Sequence, residues 1–169
     1  VFQKADHVTL IFSSSSGLVS RIIRWFTKSK ASHVMLGLEL YGIPMLLHCT
    51  SGGVQITPRA KWFKENTRVS EYEFTVDLGE GVKHAFLLLG EKYDYVSLIG
   101  FIPVLLFRWL RLKIKNPFAS ASSMVCSEFV LHVDNEDRIP EWDALEYETT
   151  TPEDLLVLCE QEKSFVKVV

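Results

Sequence analysis

The sequence predicts an α+β fold, a single domain over residues 1–169 in which an antiparallel sheet packs against helices. Three observations carry this expectation. Two apolar runs, 34–40 and 43–49, are separated by Tyr41-Gly42 and read as a β-hairpin. Leu18, Val19, Ile22, Ile23 and Phe26 recur at helical spacing, with Arg21 and Arg24 off that stripe. Near the C-terminus, Val125, Phe129, Val130 and Val133 repeat the helical pattern.

The elements follow in order. Residues 7–12 read as a short strand, ended by the polar run 13–16 and Gly17, a turn and helix cap for an amphipathic helix over 18–27. After the hairpin, Thr50-Ser51-Gly52-Gly53 forms a loop, 54–57 a short strand, and Pro58 opens a single helical turn over 59–63. Residues 69–76 alternate as a strand does, and 81–92 are helical. The stretch 96–107 is apolar but interrupted by Ser97, Gly100 and Pro103, and is about half the length that a membrane-spanning helix needs. Asn116-Pro117 breaks the chain, and a helix over 124–133 follows the small residues 119–123. Residues 134–150 are acidic and irregular, and Thr151-Pro152-Glu153-Asp154 starts a short helix over 155–159.

At 169 residues the chain is long enough to bury a core without staples. An apolar fraction of 47% and a net charge of −3 describe a globular protein and argue against nucleic acid as a partner. Its cations cluster at Arg21, Arg24, Lys28 and Lys30, and again at Arg108, Arg111, Lys113 and Lys115. Cys49, Cys126 and Cys159 are too few for a disulfide framework and have no zinc-ligand spacing. The acidic residues Glu136, Asp137, Glu141, Asp143, Glu146 and Glu148 lack the spacing of a calcium loop, and neither a phosphate-cradling Gly loop nor a GxSxG elbow is present. No metal or cofactor is expected. Residues 1–7 show no basic segment leading into an apolar one, so no secretory signal is expected, and the expected location is the cytoplasm or the inside of a virion or secreted particle.

Chemistry concentrates on Cys126, in the first turn of the 124–133 helix. A helix N-terminus favours a thiolate through its dipole and its free N–H groups, and capping by Ser122 or Ser123 would put Cys126 at the third or fourth position. A nucleophilic cysteine also needs an imidazole, oriented by a third polar group. If Tyr41-Gly42 is a two-residue turn, Met35 faces His48 and His33 faces Thr50, so the two histidines share one face as diagonal neighbours. A loop one residue longer would put Cys49 on that face instead. His7, His84 and His132 have no comparable placement, and Glu128 is expected to point away from Cys126.

Ser32-His33-Val34 after a basic amphipathic helix, and Val125-Cys126-Ser127-Glu128-Phe129-Val130 near the C-terminus, resemble the circularly permuted branch of the NlpC-type papain-like cysteine hydrolases. Residues 7–12, 46–56, Tyr93-Asp94-Tyr95 and 151–155 extend the resemblance over nearly the whole chain. It implies a permuted papain-like fold, with the histidine strand ahead of the cysteine helix. It further implies Cys126 as nucleophile, His33 as general base, His48 as orienting third residue, and Tyr93 as a contact for substrate or oxyanion. Permuted relatives often carry Glu in place of His48, whereas lecithin retinol acyltransferase-like relatives carry histidine.

The activity implied is amide cleavage through a thioester, by a peptidase or amidase acting on peptidoglycan-type peptides. Two other readings stand beside it. One is a lipid-directed acyl hydrolase or acyltransferase, with 96–107 and the cations after it making peripheral contact with a membrane. The other is a non-catalytic structural component of a virion or secretion particle, held by assembly partners.

Overall fold

The computed structural model describes residues 7–93, 123–124, 126–134, 139–143, 145–146 and 149–169. The elements in chain order are β1 (Thr9–Ser14), α1 (Leu18–Thr27), β2 (His33–Leu40), β3 (Ile43–Thr50), β4 (Gly53–Pro58), α2 (Arg59–Trp62), β5 (Thr67–Phe74) and α3 (Gly79–Leu87). They continue with β6 (Lys92–Tyr93), β7 (Ser123–Met124), α4 (Cys126–Leu131), a 3₁₀ turn (Pro140–Trp142), α5 (Pro152–Gln161) and β8 (Phe165–Lys167). Six strands form one sheet in the order β4-β3-β2-β1-β5-β8, antiparallel throughout, while β6 and β7 pair separately and in parallel. The chain is thus α+β, with helices packed against an antiparallel sheet.

The hairpin closes in two residues. Tyr41 and Gly42 both have positive φ, 53° and 77°, as a twisted turn matching the strands requires. Leu40 therefore pairs with Ile43, and the β2–β3 ladder runs from there to Leu36 opposite Leu47. Beyond that pair each strand keeps its outer neighbour, β2 through His33 opposite Ser13 and β3 through Thr50 opposite Gly53. The two strands consequently part at the His33 and Thr50 ends.

Alternation divides the sheet into two faces. Leu10, Phe12, Val34, Leu36, Leu38, Leu47 and Cys49 join the main core, where α4 supplies Cys126, Phe129 and Val130 and α5 supplies Leu155 and Cys159. Ile11, Met35 and Leu46 look the other way, onto Trp62 and Phe63. β5 is also tied to this second face. Glu71, 3% exposed, receives both guanidinium arms of Arg59 at 2.8 and 2.5 Å, Arg68 at 2.9 Å and the Thr9 hydroxyl at 3.0 Å. Burial alone would raise its pKa, but the Arg59 hydrogen bonds and charge outweigh that and hold it below the usual carboxylate value.

Several boundaries differ from expectation for tertiary reasons. β5 starts two residues early because β1 sets its register, with an irregularity between Phe12 and Ser13. α3 starts at Gly79, whose N–H is taken by Asp77 Oδ1 at 2.9 Å, and the chain leaves it through Gly90 at φ 89°. α5 runs longer than the apolar pattern suggests, from a full capping box between Thr151 and Asp154 to Gln161. β8 has no counterpart in the expected elements. It is three residues long and exists by pairing with β5, which is remote in sequence.

Candidate active site

The hairpin register places His33 and His48 on the face of Trp62. His33 Nε2 lies 3.2 Å from His48 Nδ1, and His48 Nε2 lies 3.0 Å from Thr57 Oγ1 on β4. Three neighbouring strands thus supply one linear chain of hydrogen bonds. Trp62 closes over it, its ring centroid 5.2 Å from that of His33 and 4.6 Å from that of His48. The indole is held in turn by Ser13 Oγ at 3.4 Å and by α2, which Arg59 fastens to Glu71.

Burial decides the charge state of this chain. His48 is fully buried and its pKa falls to about 4 for that reason. His33 is pushed down to about 3 by burial first and by its imidazole neighbour second. Both rings are neutral at pH 7, so each carries one N–H. Two donation orders satisfy the distances. In the first, His33 Nε2–H donates to His48 Nδ1 and His48 Nε2–H donates to Thr57 Oγ1, leaving a basic lone pair on His33 Nδ1. The second runs backwards from the Thr57 hydroxyl and leaves His33 Nδ1 protonated. Only the first makes His33 a base.

In the first order the Thr57 hydroxyl accepts from His48 and would position the relay of a catalytic site. Thr57→Val is expected to lower kcat/KM roughly tenfold to a hundredfold, a share of what general base catalysis supplies. Thr57→Ser should recover most of it. Profiles of kcat/KM against pH check the point: equal values for Val and Ser at every pH would remove Thr57 from the relay.

Cys126 approaches from the main core. α4 packs across β2 and β3, and Ser127 anchors its first turn by donating to the Thr150 carbonyl at 2.6 Å. Leu36 and Leu40 turn their N–H groups toward β3 in the ladder, and Val34 keeps that direction where the strands have parted. The Val34 N–H lies instead near the Cys126 sulfur, as do the N–H groups of Ser127 and of Cys126 itself, and all three favour its thiolate. The thiol therefore rests on the peptide unit that joins His33 to Val34. It enters at the gap between β2 and β3, while the His33 side chain lies on the other face.

Burial opposes the thiolate that a helix end favours. Cys126 is 7% exposed, and burial raises its pKa against the three N–H groups, which lower it. Cys126 is also the first residue of α4 and not its third or fourth, since Ser123 and Met124 belong to β7. Cys49 is pushed up to about 12, by burial first and then by Cys126 and Glu128. Glu128 is half-buried, and its charge is felt at Cys49. Cys159 is raised further by burial.

His33 and His48 meet on the Trp62 face, whereas Cys126 lies on the core face, beside the Val34 backbone. Thr57, Trp62 and Glu71 were missed as contributors, and their signal was present only as the Val54-Gln55-Ile56-Thr57 strand and the cation and aromatic of 59–63. His84 Nδ1 lies 3.2 Å from the His132 carbonyl, a structural contact. The Tyr93 side chain, the apolar stretch 96–107, the second basic cluster and part of the acidic segment fall outside the described residues. Among the described residues no group of three or more His, Cys, Asp or Glu is placed to hold a metal, and no helix is long and apolar enough to cross a membrane.

No family model matches the chain, and no curated protein matches it. Among solved structures it is similar to metalloprotein YiiX from Escherichia coli O157:H7, described as DUF1105. The identity is 16% and the TM-score 0.63, covering 99% of this chain and 98% of that one, so the likeness is one of fold.

Proposed function

We propose that the chain is a cysteine hydrolase of the circularly permuted papain-like type, cleaving amide bonds of peptidoglycan-type peptides through Cys126, His33 and His48. The observation that supports it most is the approach of the Cys126 thiol to the His33–Val34 peptide, beside a His33–His48–Thr57 relay whose central ring is buried. The order of histidine strand before cysteine helix fits the permuted arrangement.

In this reading the sulfur and His33 start as neutral thiol and neutral imidazole. The Cys126 side chain turns out through the open end between β2 and β3 to reach His33, whose Nδ1 takes the thiol proton as the sulfur forms a bond to the amide carbonyl carbon. Collapse of that adduct breaks the C–N bond, and His33 returns the proton to the leaving amine. Water, deprotonated by His33, then attacks the thioester, and the C–S bond breaks to release the acid and restore the thiol. His48 keeps the proton on His33 Nε2 through both halves.

Trapping of the acyl-enzyme tests this. With p-nitrophenyl acetate at mildly alkaline pH, peptide mapping should find the acetyl group on Cys126 and on neither Cys49 nor Cys159. Release of p-nitrophenol with no acetylated Cys126 at any time would refute the assignment.

A further inference from the structure

α1 is built the wrong way round for a helix that serves a core. At about 100° per residue, Trp25, Leu18, Ile22, Phe26, Val19 and Ile23 cover an arc of about 160°, and Ser20, Arg24 and Thr27 occupy the opposite side. The polar side faces the protein. Ser20 is the buried residue of the helix, its hydroxyl 2.6 Å from Ser32 Oγ, donating to the Ser15 carbonyl at 2.9 Å and accepting from the Ser15 N–H at 3.1 Å. Arg24 adds a bond from Nη2 to the Ser15 carbonyl at 3.2 Å. No apolar residue of α1 joins either hydrophobic cluster of the described residues. Leu18 is 72% exposed, Val19 54% and Trp25 74%, while Ile22, Ile23 and Phe26 are half-buried.

Charge says what such a face meets. Residues 7–38 contain Arg21, Arg24, Lys28 and Lys30 and no Asp or Glu, in a chain whose net charge is −3. Arg21, Lys28 and Lys30 are exposed, and Arg21 flanks Trp25 on the edge of the apolar arc. An apolar face edged by Trp and cations is the pattern of a helix lying in the plane of an anionic bilayer surface. A protein core would have drawn the apolar side inward.

We propose that α1 docks the protein on an anionic lipid surface, with the exposed Leu18, Val19 and Trp25 entering the interface and Arg21, Lys28 and Lys30 at the headgroups. This surface is described by residues outside the relay, and its test reads binding alone, so it stands or falls separately from the hydrolase assignment.

Co-sedimentation of the full chain with two vesicle types tests it: phosphatidylcholine alone, and phosphatidylcholine with phosphatidylglycerol in equal parts. The chain should favour the anionic vesicles and be released by salt. Leu18→Ser with Trp25→Ser should weaken this binding roughly tenfold or more, with the thermal unfolding curve unchanged, because both side chains are largely exposed already. Arg21→Gln with Lys28→Gln should weaken it and flatten the salt dependence. Three results would overturn the proposal: equal binding to the two vesicle types, full binding by the Leu18/Trp25 variant, or vesicles ignored while the chain self-associates through this face.

Discussion

Cys126→Ser is expected to keep the fold and to lose acyl transfer by on the order of 10³-fold or more, the scale seen when a nucleophile is removed from a coupled triad. Serine preserves an acceptor for the Val34 N–H, so the β2–β3 opening stays satisfied. Its hydroxyl is a far weaker acid than a thiol, and His33 is oriented here by a neutral imidazole and not by a carboxylate. Cys126→Ala separates chemistry from folding. It should be equally inactive and also less stable, by about 1–3 kcal/mol, because it leaves the Val34 N–H buried without a partner. Hydrolysis of p-nitrophenyl acetate and denaturant midpoints for both variants make the comparison. Residual activity in Cys126→Ser within tenfold of the parent protein would place the nucleophile elsewhere.

Stability should fall steeply as the pH drops below 6.5. In the unfolded chain His33 and His48 take up protons near that value, whereas burial delays protonation in the folded chain to about 3 and about 4. The unfolded state thus binds more protons between those limits, and stability is lost as pH falls through this window. With both histidines contributing, the slope reaches up to about 2.7 kcal/mol per pH unit. His132 is also held down, by burial and then by His84, and acts in the same direction. The diagnostic quantity is therefore the difference between the parent protein and a His33→Gln/His48→Gln variant. Urea midpoints from pH 4 to 8 should lose most of their slope in that variant, and an unchanged slope would show that the relay titrates normally. For the proposed hydrolase, the same depression would keep His33 available as a base below pH 6.5.

Much of the site was legible in the primary structure, because it depends on local parity. Tyr41-Gly42 allows a two-residue turn, and that turn alone puts Leu40 opposite Ile43 and brings His33 and His48 onto one face. The α5 start was equally local, since Thr151 and Asp154 complete a capping box within four residues. The balance at Cys126 is only half visible in sequence, because the N–H groups of a helix end are local, while the burial opposing them comes from β2, β3 and the remaining core. Thr57 and Trp62 escaped notice for a related reason. Each acts across strands or faces, and neither carries a pattern distinguishable from an ordinary strand threonine or core tryptophan.

α1 marks the boundary between the two kinds of knowledge most sharply. Its periodicity, its extent over Leu18–Thr27 and its cations follow from residue order, because helical spacing is a local property of the chain. The direction in which the helix faces is not local. Ser15, Ser20 and Ser32 meet only after β1 and β2 are paired, and their hydrogen bonds turn the polar stripe inward and the apolar stripe out. Spacing determined that an amphipathic helix forms here; the neighbours brought by the sheet decided which side of it meets the solvent.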